Sequence, residues 1–372
     1  MTWHEWVEAE NDRIRADGRW RVTRDLDAAG PAGVLSATGE HVVSFASNDY
    51  LGLTQHPAVV AAAHEALDRW GAGSGAARLI VGSRPLHSEL EAELADWKRC
   101  ERALLFPTGF ATNLGVLSTF GVAGGLVCSD ELNHASIVDG SRLARADVAV
   151  YPHGDVDALD ALLAGRDRPI VVTDTVFSMD GDVAPLDQIA DVCRRRGALL
   201  VLDEAHAVLG PDPDPHGDLE GVDVLRVGTL SKTLGSLGGF VAGGAPMIDL
   251  LVNRARPFIF TTASTPADTA AALAAVRIVR SAEGDAMRET LRGHVDRVAP
   301  SHPSPIVPIV LGDEESALKA AAALLERGLL VPAIRPPTVP VGTSRLRVAL
   351  SAAHTDAHID GLLDGLAALG AL

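Results

Sequence analysis

A chain of 372 residues is long enough for one large core or two domains, and 47% hydrophobic with 22% charged residues fits a soluble globular protein. The formal charge of −17 argues against nucleic acid or an anionic membrane as partner, so an anionic substrate must be gripped by local arginines. Three widely spaced cysteines (Cys100, Cys128, Cys193) fit neither a disulfide framework nor a metal site, and no run of ~18 apolar residues suggests a membrane span. The charged N-terminus lacks the apolar core of a signal peptide, so the expectation is a cytoplasmic enzyme without a metal.

In chain order, residues 2–17 read as an amphipathic helix, followed by Arg19, Arg21 and Arg24. Short strands are predicted at 33–36 and 41–45, before the turn-rich SNDYLGL at 47–53. A helix at 57–70 has Pro57 in its first turn. GAGSGAARLIVG (71–82) is then a glycine-rich loop whose backbone can approach a ligand. Between 85 and 227, predicted helices (85–98, 109–120, 134–144, 156–163, 185–196) alternate with strands (103–106, 126–129, 147–151, 170–173, 198–202, 224–227). Runs such as IVVT and ALLVLD are apolar at consecutive positions, as parallel strands covered on both faces require. The alternation predicts an α/β fold with a mainly parallel sheet.

Past about Arg280 the texture changes. A charged helix (285–298) leads through SHPSPIVPIVLG to a helix at 314–327, a strand at 329–334, the RPPTVP turn, a strand at 345–351 and a helix at 356–369. This reads as a smaller α+β domain pairing with the N-terminal segment. The expected division is a segment 1–50, a large α/β domain 51–280 and a small domain 281–372.

Only three lysines accompany 29 arginines. Lys98 in ADWKRCER and Lys319 in EESALKAAAALLERG read as solvated surface. Lys232, in VGTLSKTLGSLGGFVAG, has small neighbours and no acidic residue between Val224 and Asp249. Such a setting desolvates the amine, lowers its pKa and readies it to attack a carbonyl. The alternative is a lysine in an exposed turn.

Asp203–His206, DEAH, closes an apolar strand at the end where α/β folds bind ligands. The same letters occur in helicases, but no lysine here follows a glycine, so the phosphate loop such enzymes need is missing. A structural DEAH is one alternative; an aspartate paired with a protonated pyridine nitrogen is the other. PTGFATN (107–113) follows a strand and opens a helix, a ready anion site or an ordinary cap. NHASI places His134 at a helix start, and FSMDGD (177–182) reads as an Asp-Gly turn. Arg335, Arg345 and Arg347 gather near a stiff proline turn, where they either fork an anion or form the outer face of a strand.

In order, TGFATN after a strand, NHASI, VFSMDGD, LLVLDEAH and GTLSKTLG resemble the α-oxoamine synthases, which are fold-type I pyridoxal-phosphate enzymes. The likeness runs from SNDYLGL to RLRVALSAAH. It implies a large domain with a mainly parallel seven-stranded sheet flanked by helices, a small C-terminal α+β domain, pyridoxal 5'-phosphate, and a homodimer with its active site at the interface. It further implies that Lys232 holds the cofactor covalently and moves the substrate's α-proton. Asp203 keeps the pyridine nitrogen protonated, His206 binds the phenolic oxygen and His134 stacks on the ring. Gly109, Phe110 and Thr229 contact the phosphate, Ser178 lies beside the ring, and Thr261 or Thr262 reaches the partner's phosphate. Arg347 holds the amino acid's carboxylate, and Asn48, Arg21 and Thr338 contact substrate.

IRPPTVPVGTSRLR and SNDYLGL are most similar to the members that join L-alanine to a pimeloyl thioester, on CoA or a carrier protein, in biotin biosynthesis. Members that use glycine or serine with another acyl-CoA, and noncatalytic relatives, remain alternatives. Two departures stand out. AVLGPDPDPHGDLEG follows DEA and His206 where the family has GTG and a G-R-G loop, and Ala77 replaces the usual serine before Arg78.

Overall fold

The computed structural model describes residues 1–370. The chain opens with α1 (Trp3–Ala16), β1 (Leu26–Ala28), β2 (Ala32–Leu35), β3 (His41–Ser44), α2 (Pro57–Trp70) and α3 (Pro85–Trp97). It continues through β4 (Arg102–Phe106), α4 (Gly109–Phe120), β5 (Leu126–Asp130), α5 (Ala135–Leu143), β6 (Asp147–Tyr151) and α6 (Val156–Leu163). Next come β7 (Pro169–Asp174), α7 (Leu186–Arg196), β8 (Leu199–Asp203), β9 (Val224–Thr229), β10 (Gly239–Gly243), α8 (Ala245–Arg254), α9 (Arg256–Ile259) and α10 (Pro266–Val279). The last part comprises α11 (Ala282–Val298), β11 (Ile306–Gly312), α12 (Glu314–Glu326), β12 (Leu329–Leu330), β13 (Ala333–Ile334), β14 (Ser344–Ala349) and α13 (Asp356–Ala368).

The central sheet has seven strands in the order β4-β10-β9-β8-β7-β5-β6. β10 runs antiparallel to both its neighbours, and the remaining pairs are parallel. Every residue of β5, β7 and β10 is buried, which explains their unbroken apolar runs. One face carries a core of Leu159, Leu163, Ile189 and Cys193 from α6 and α7; the other carries Val116, Leu117, Ile248 and Phe258 from α4, α8 and α9. Because the six parallel strands share a direction, their C-terminal ends open on one edge of the sheet. That edge is where this fold assembles a site.

Two smaller sheets frame it. β1, β2 and β3 form an antiparallel set that β12 joins in parallel through Val43 and Leu329, so the chain's two ends meet in one sheet. β11, β14 and β13 form the other. The strand predicted at 329–334 is therefore two strands: Pro332 lies between β12, which pairs with β3, and β13, which pairs with β14. β11 was hidden in sequence by its Pro308 and by Pro303 and Pro305 just before it. It lies at a sheet edge, where the missing N–H of Pro308 is tolerated. α10 escaped prediction for the opposite reason, since ten of its 14 residues are buried and it shows no amphipathic period. The expected loop at 71–82 ends in a wide helical turn, Arg78–Gly82. Its Arg78 forks Glu91 at 2.9 and 3.1 Å, and Leu79, Ile80 and Val81 stand exposed.

Gly239 fixes the approach of β10 to the start of α4. A Cβ there would lie 2.4 Å from Thr112 Oγ1 and 2.5 Å from the Gly109 nitrogen. Gly239→Ala is expected to push α4 away and lower stability by about 1–3 kcal/mol, read by thermal unfolding.

Candidate active site

The ends of β4, β5, β7, β8 and β9 surround a cavity of about 220 Å³. Lys232, Asp203, His206, His134, Gly109, Phe110 and Thr229 all line it, so the fold gathers seven of the residues singled out in sequence. Ser178, Asn48 and Arg347 lie in a hydrogen-bonded cluster beside it. Arg347 Nε donates to the Ser178 carbonyl (2.6 Å), and its Nη2 donates to Asn48 Oδ1 (3.1 Å).

Asp203 ends β8, is 6% exposed and forms no ion pair among the described residues. Its Oδ2 accepts from Asn113 Nδ2 (2.7 Å) and its Oδ1 from the Ala205 amide (3.0 Å). Asn113 also donates to Ser136, and its own Oδ1 is buried without a partner. His206 Nδ1 lies 2.6 Å from the Tyr50 hydroxyl, whose oxygen is also 3.1 Å from Asn48 Oδ1, and the hydroxyl's one proton serves one of the two. Burial, followed by the charges of Lys232 and Arg347, pushes the His206 pKa well below the usual imidazole range, so this ring is neutral at pH 7.

Lys232 lies in the tight turn between β9 and β10, closed by the Gly235 amide on the Lys232 carbonyl. Burial lowers its amine's pKa; Asp203 and Asp174 oppose that effect, and Arg347 adds to it. His134 caps α5, its amide donating to Asp174 Oδ2 (3.0 Å), and burial lowers its pKa too. Asp174 is fully buried, and its carboxyl is driven well up, by burial first and by the charge of Asp203 second. Sequence reading missed Asn113, Tyr50 and Asp174. The first two lay inside quoted motifs, TGFATN and SNDYLGL, but nothing in the sequence said which neighbour they would meet.

At the start of α4, Thr108 Oγ1 takes the Ala111 amide. The first-turn N–H groups of Gly109 and Phe110 have no intrahelical partner and form an anion-binding end. Thr229 borders the same end, since a Cβ on Gly109 would meet its side chain at 3.3 Å.

Two expectations fall elsewhere. Arg21 and Thr338 meet each other, but in a separate cavity of about 430 Å³ with Arg13 and Arg335. Thr262 is exposed and lines neither cavity, while Thr261 is half-buried. Lys98 is not solvated: it is 6% exposed, with Nζ 2.7 Å from Glu204. The charged run ADWKRCER hid this because α3 ends against β8 and β9, where Glu204 also takes Arg226 Nε (2.5 Å). This network anchors the residue between Asp203 and Ala205.

A buried carboxylate without a cation, an amine whose pKa burial lowers and an anion-binding helix end together define a site for a phosphorylated, basic aromatic cofactor. The sequence profile of the Aminotransferase class I and II family matches residues 40–366, and the chain belongs to that family. An 8-amino-7-oxononanoate synthase of Anaeromyxobacter dehalogenans is 50% identical over 98% of this chain and 95% of its own. A solved serine palmitoyltransferase of Sphingomonas wittichii is 30% identical with a TM-score of 0.90, and 98% of each chain is covered. A high-resolution SPT structure with its PLP internal aldimine is 31% identical with a TM-score of 0.88 over 98% of each chain.

Lys98→Met would leave Glu204 buried with Arg226 as its remaining close cation. The expected cost is about 3 kcal/mol, measured by urea unfolding.

Proposed function

We propose that this chain is a pyridoxal-phosphate-dependent acyltransferase that condenses L-alanine with a pimeloyl thioester, releasing the thiol and CO2 and giving 8-amino-7-oxononanoate for biotin biosynthesis. The observation that carries the reading is the cavity that holds Lys232 and the unpaired Asp203 together. Its near full-length likeness to a synthase of that activity supports the particular reaction.

The residues fit the cofactor. Asp203 lacks a cation in a setting where a buried carboxylate needs one, and a protonated pyridine nitrogen supplies it. Gly109 and Phe110 amides and the Thr229 hydroxyl are the phosphate contacts. When bound, pyridoxal 5'-phosphate supplies an electron sink for the pair left on the amino acid's α-carbon. Lys232 would attach the cofactor, and its amine is placed to take the α-proton; burial lowers its pKa and so enlarges the neutral fraction that a base needs. Asn113 orients Asp203. With the Tyr50 proton turned to His206 Nδ1, the ring's own proton lies on Nε2, as hydrogen bonding to a phenolic oxygen requires. His134 covers the ring and Ser178 flanks it. Arg347, braced by Ser178 and Asn48, takes the amino acid's carboxylate, while Arg21 and Thr338 contact the acyl substrate from their separate cavity. CoA and a carrier protein are both open as the thioester's carrier.

The active unit is a homodimer with Thr262 reaching the partner's phosphate. The exposure of Phe110 (43%), Ile80 (73%) and Phe260 (69%) supports this, and a sedimentation mass of one chain would overturn it. The likeness to serine palmitoyltransferase favours one second reading, the same condensation with serine and another acyl thioester.

The test is the visible spectrum of the cofactor-loaded protein with L-alanine, glycine and L-serine. A band that responds selectively to L-alanine is the expected outcome; selective response to serine or glycine moves the substrate to a sister enzyme. Lys232→Ala is expected to abolish product formation, and persisting turnover would overturn the assignment.

A further inference from the structure

The loop between β7 and α7, which carries Ser178, is fastened at three points. Arg347 Nε holds the Ser178 carbonyl at 2.6 Å. Arg345, also on β14, pairs with Asp180. The third point comes from the opposite side: His153, just past β6, has Nε2 2.7 Å from Asp182 Oδ2 and Nδ1 3.0 Å from Asp130 Oδ1. Its ring also stands edge-on to Phe177, with centroids 4.4 Å apart. Asp130 ends β5 and is itself fixed by the Leu132 and Gly154 amides, each at 2.9 Å. Gly181 closes the loop at φ +69°, where a Cβ would lie 2.1 Å from the Ile306 carbonyl. The loop has no slack to choose its own position.

We infer that His153 is a positioning residue for the amino-acid site: as a two-sided donor it ties Asp182 to the end of β5, and so fixes Ser178 and the carbonyl that braces Arg347. This rests on the reading of Arg347 as the group that holds the amino acid's carboxylate. His153 lies outside the cavity and acts through the loop alone. Without it, Asp130 and Asp182 face each other with no cation between them, and the part of the loop from Ser178 to Asp182 keeps its side-chain ties to β14 alone. Arg347 would then carry a partner that moves.

The charged groups facing the His153 ring are Asp130 at the end of β5 and Asp182 from the loop, while Glu131 takes its backbone amide. Hydrogen bonds to Asp130 and then Asp182 push its pKa up to about 10, so the bridge is cationic at neutral pH. A folded-state pKa above the usual 6.5 means the stabilisation is complete below 6.5 and is lost as pH rises through about 10.

The test uses the full chain with His153→Leu and, in case that variant does not fold, Asp182→Asn. Amide hydrogen exchange at 177–184 is measured without cofactor, where it is expected to quicken. In the loaded protein the cofactor band is expected to persist while the KM for the amino acid rises about tenfold or more. The kcat and the KM for the thioester are expected to hold. His153→Gln, which keeps one donor, is expected to restore part of the loss. A variant that is merely less stable, with exchange at 177–184 and the KM for the amino acid unchanged, would overturn the inference. If no amino acid perturbs the wild-type band, the proposed function fails; the exchange measurement still decides whether His153 holds the loop.

Discussion

The site is organised around a negative charge that the protein buries without a positive one of its own. Asp203 spends its lone pairs on Asn113 and a backbone amide, two neutral donors, at the end of a strand buried on both faces. Hydrogen bonds lower the cost of burying a carboxylate but do not replace a counter-charge. The fold keeps Asp203 in want of a cation, and a basic ring supplies one. The arrangement holds because Glu204, the next residue, takes the opposite solution: it is locked by Lys98 and Arg226 on the far side of the same strand end. One carboxylate of the pair anchors and its neighbour is left free to act.

The other charges in the cavity follow from that choice. The carboxyl of Asp174, buried near Asp203, is pushed well up by burial and then by that neighbour's charge, which favours its protonated form. His206 and His134 are kept neutral by burial and by the cations around them. A neutral imidazole can cover or hydrogen-bond a ring without competing with it for Asp203. Lys232 is the group on which desolvation and attraction to the carboxylates pull in opposite directions, and desolvation dominates.

The C-terminal sheet completes what the central sheet begins. Arg345 and Arg347 alternate with Leu346 and Val348 along β14, yet both arginines are buried, because each reaches the loop after β7. The C-terminal part thus touches the cavity through its hold on Ser178 and Asn48, and the parallel pairing of β12 with β3 keeps it in place.

Much of this was legible in the sequence. The six parallel strands of the central sheet were predicted from sequence, the antiparallel β10 was not, and α2, α4, β6 and α6 begin and end where caps and turn residues put them. Lys232 stood out because lysine is so rare here and its surroundings are free of acid. Asp203 stood out because it closes an apolar strand. β11 with its Pro308, the uniformly apolar α10 and the split at Pro332 were not legible, since each departs from the local period that sequence reading relies on. Only the tertiary structure decided the partners: Asn113 on Asp203, Tyr50 on His206, Lys98 on Glu204, and Arg21 with Thr338 in a cavity of their own. The physical reason is that period and propensity act over a few residues. A buried polar group is paired across 90 residues in one case and more than 100 in others, and that distance is closed only by the packed sheet.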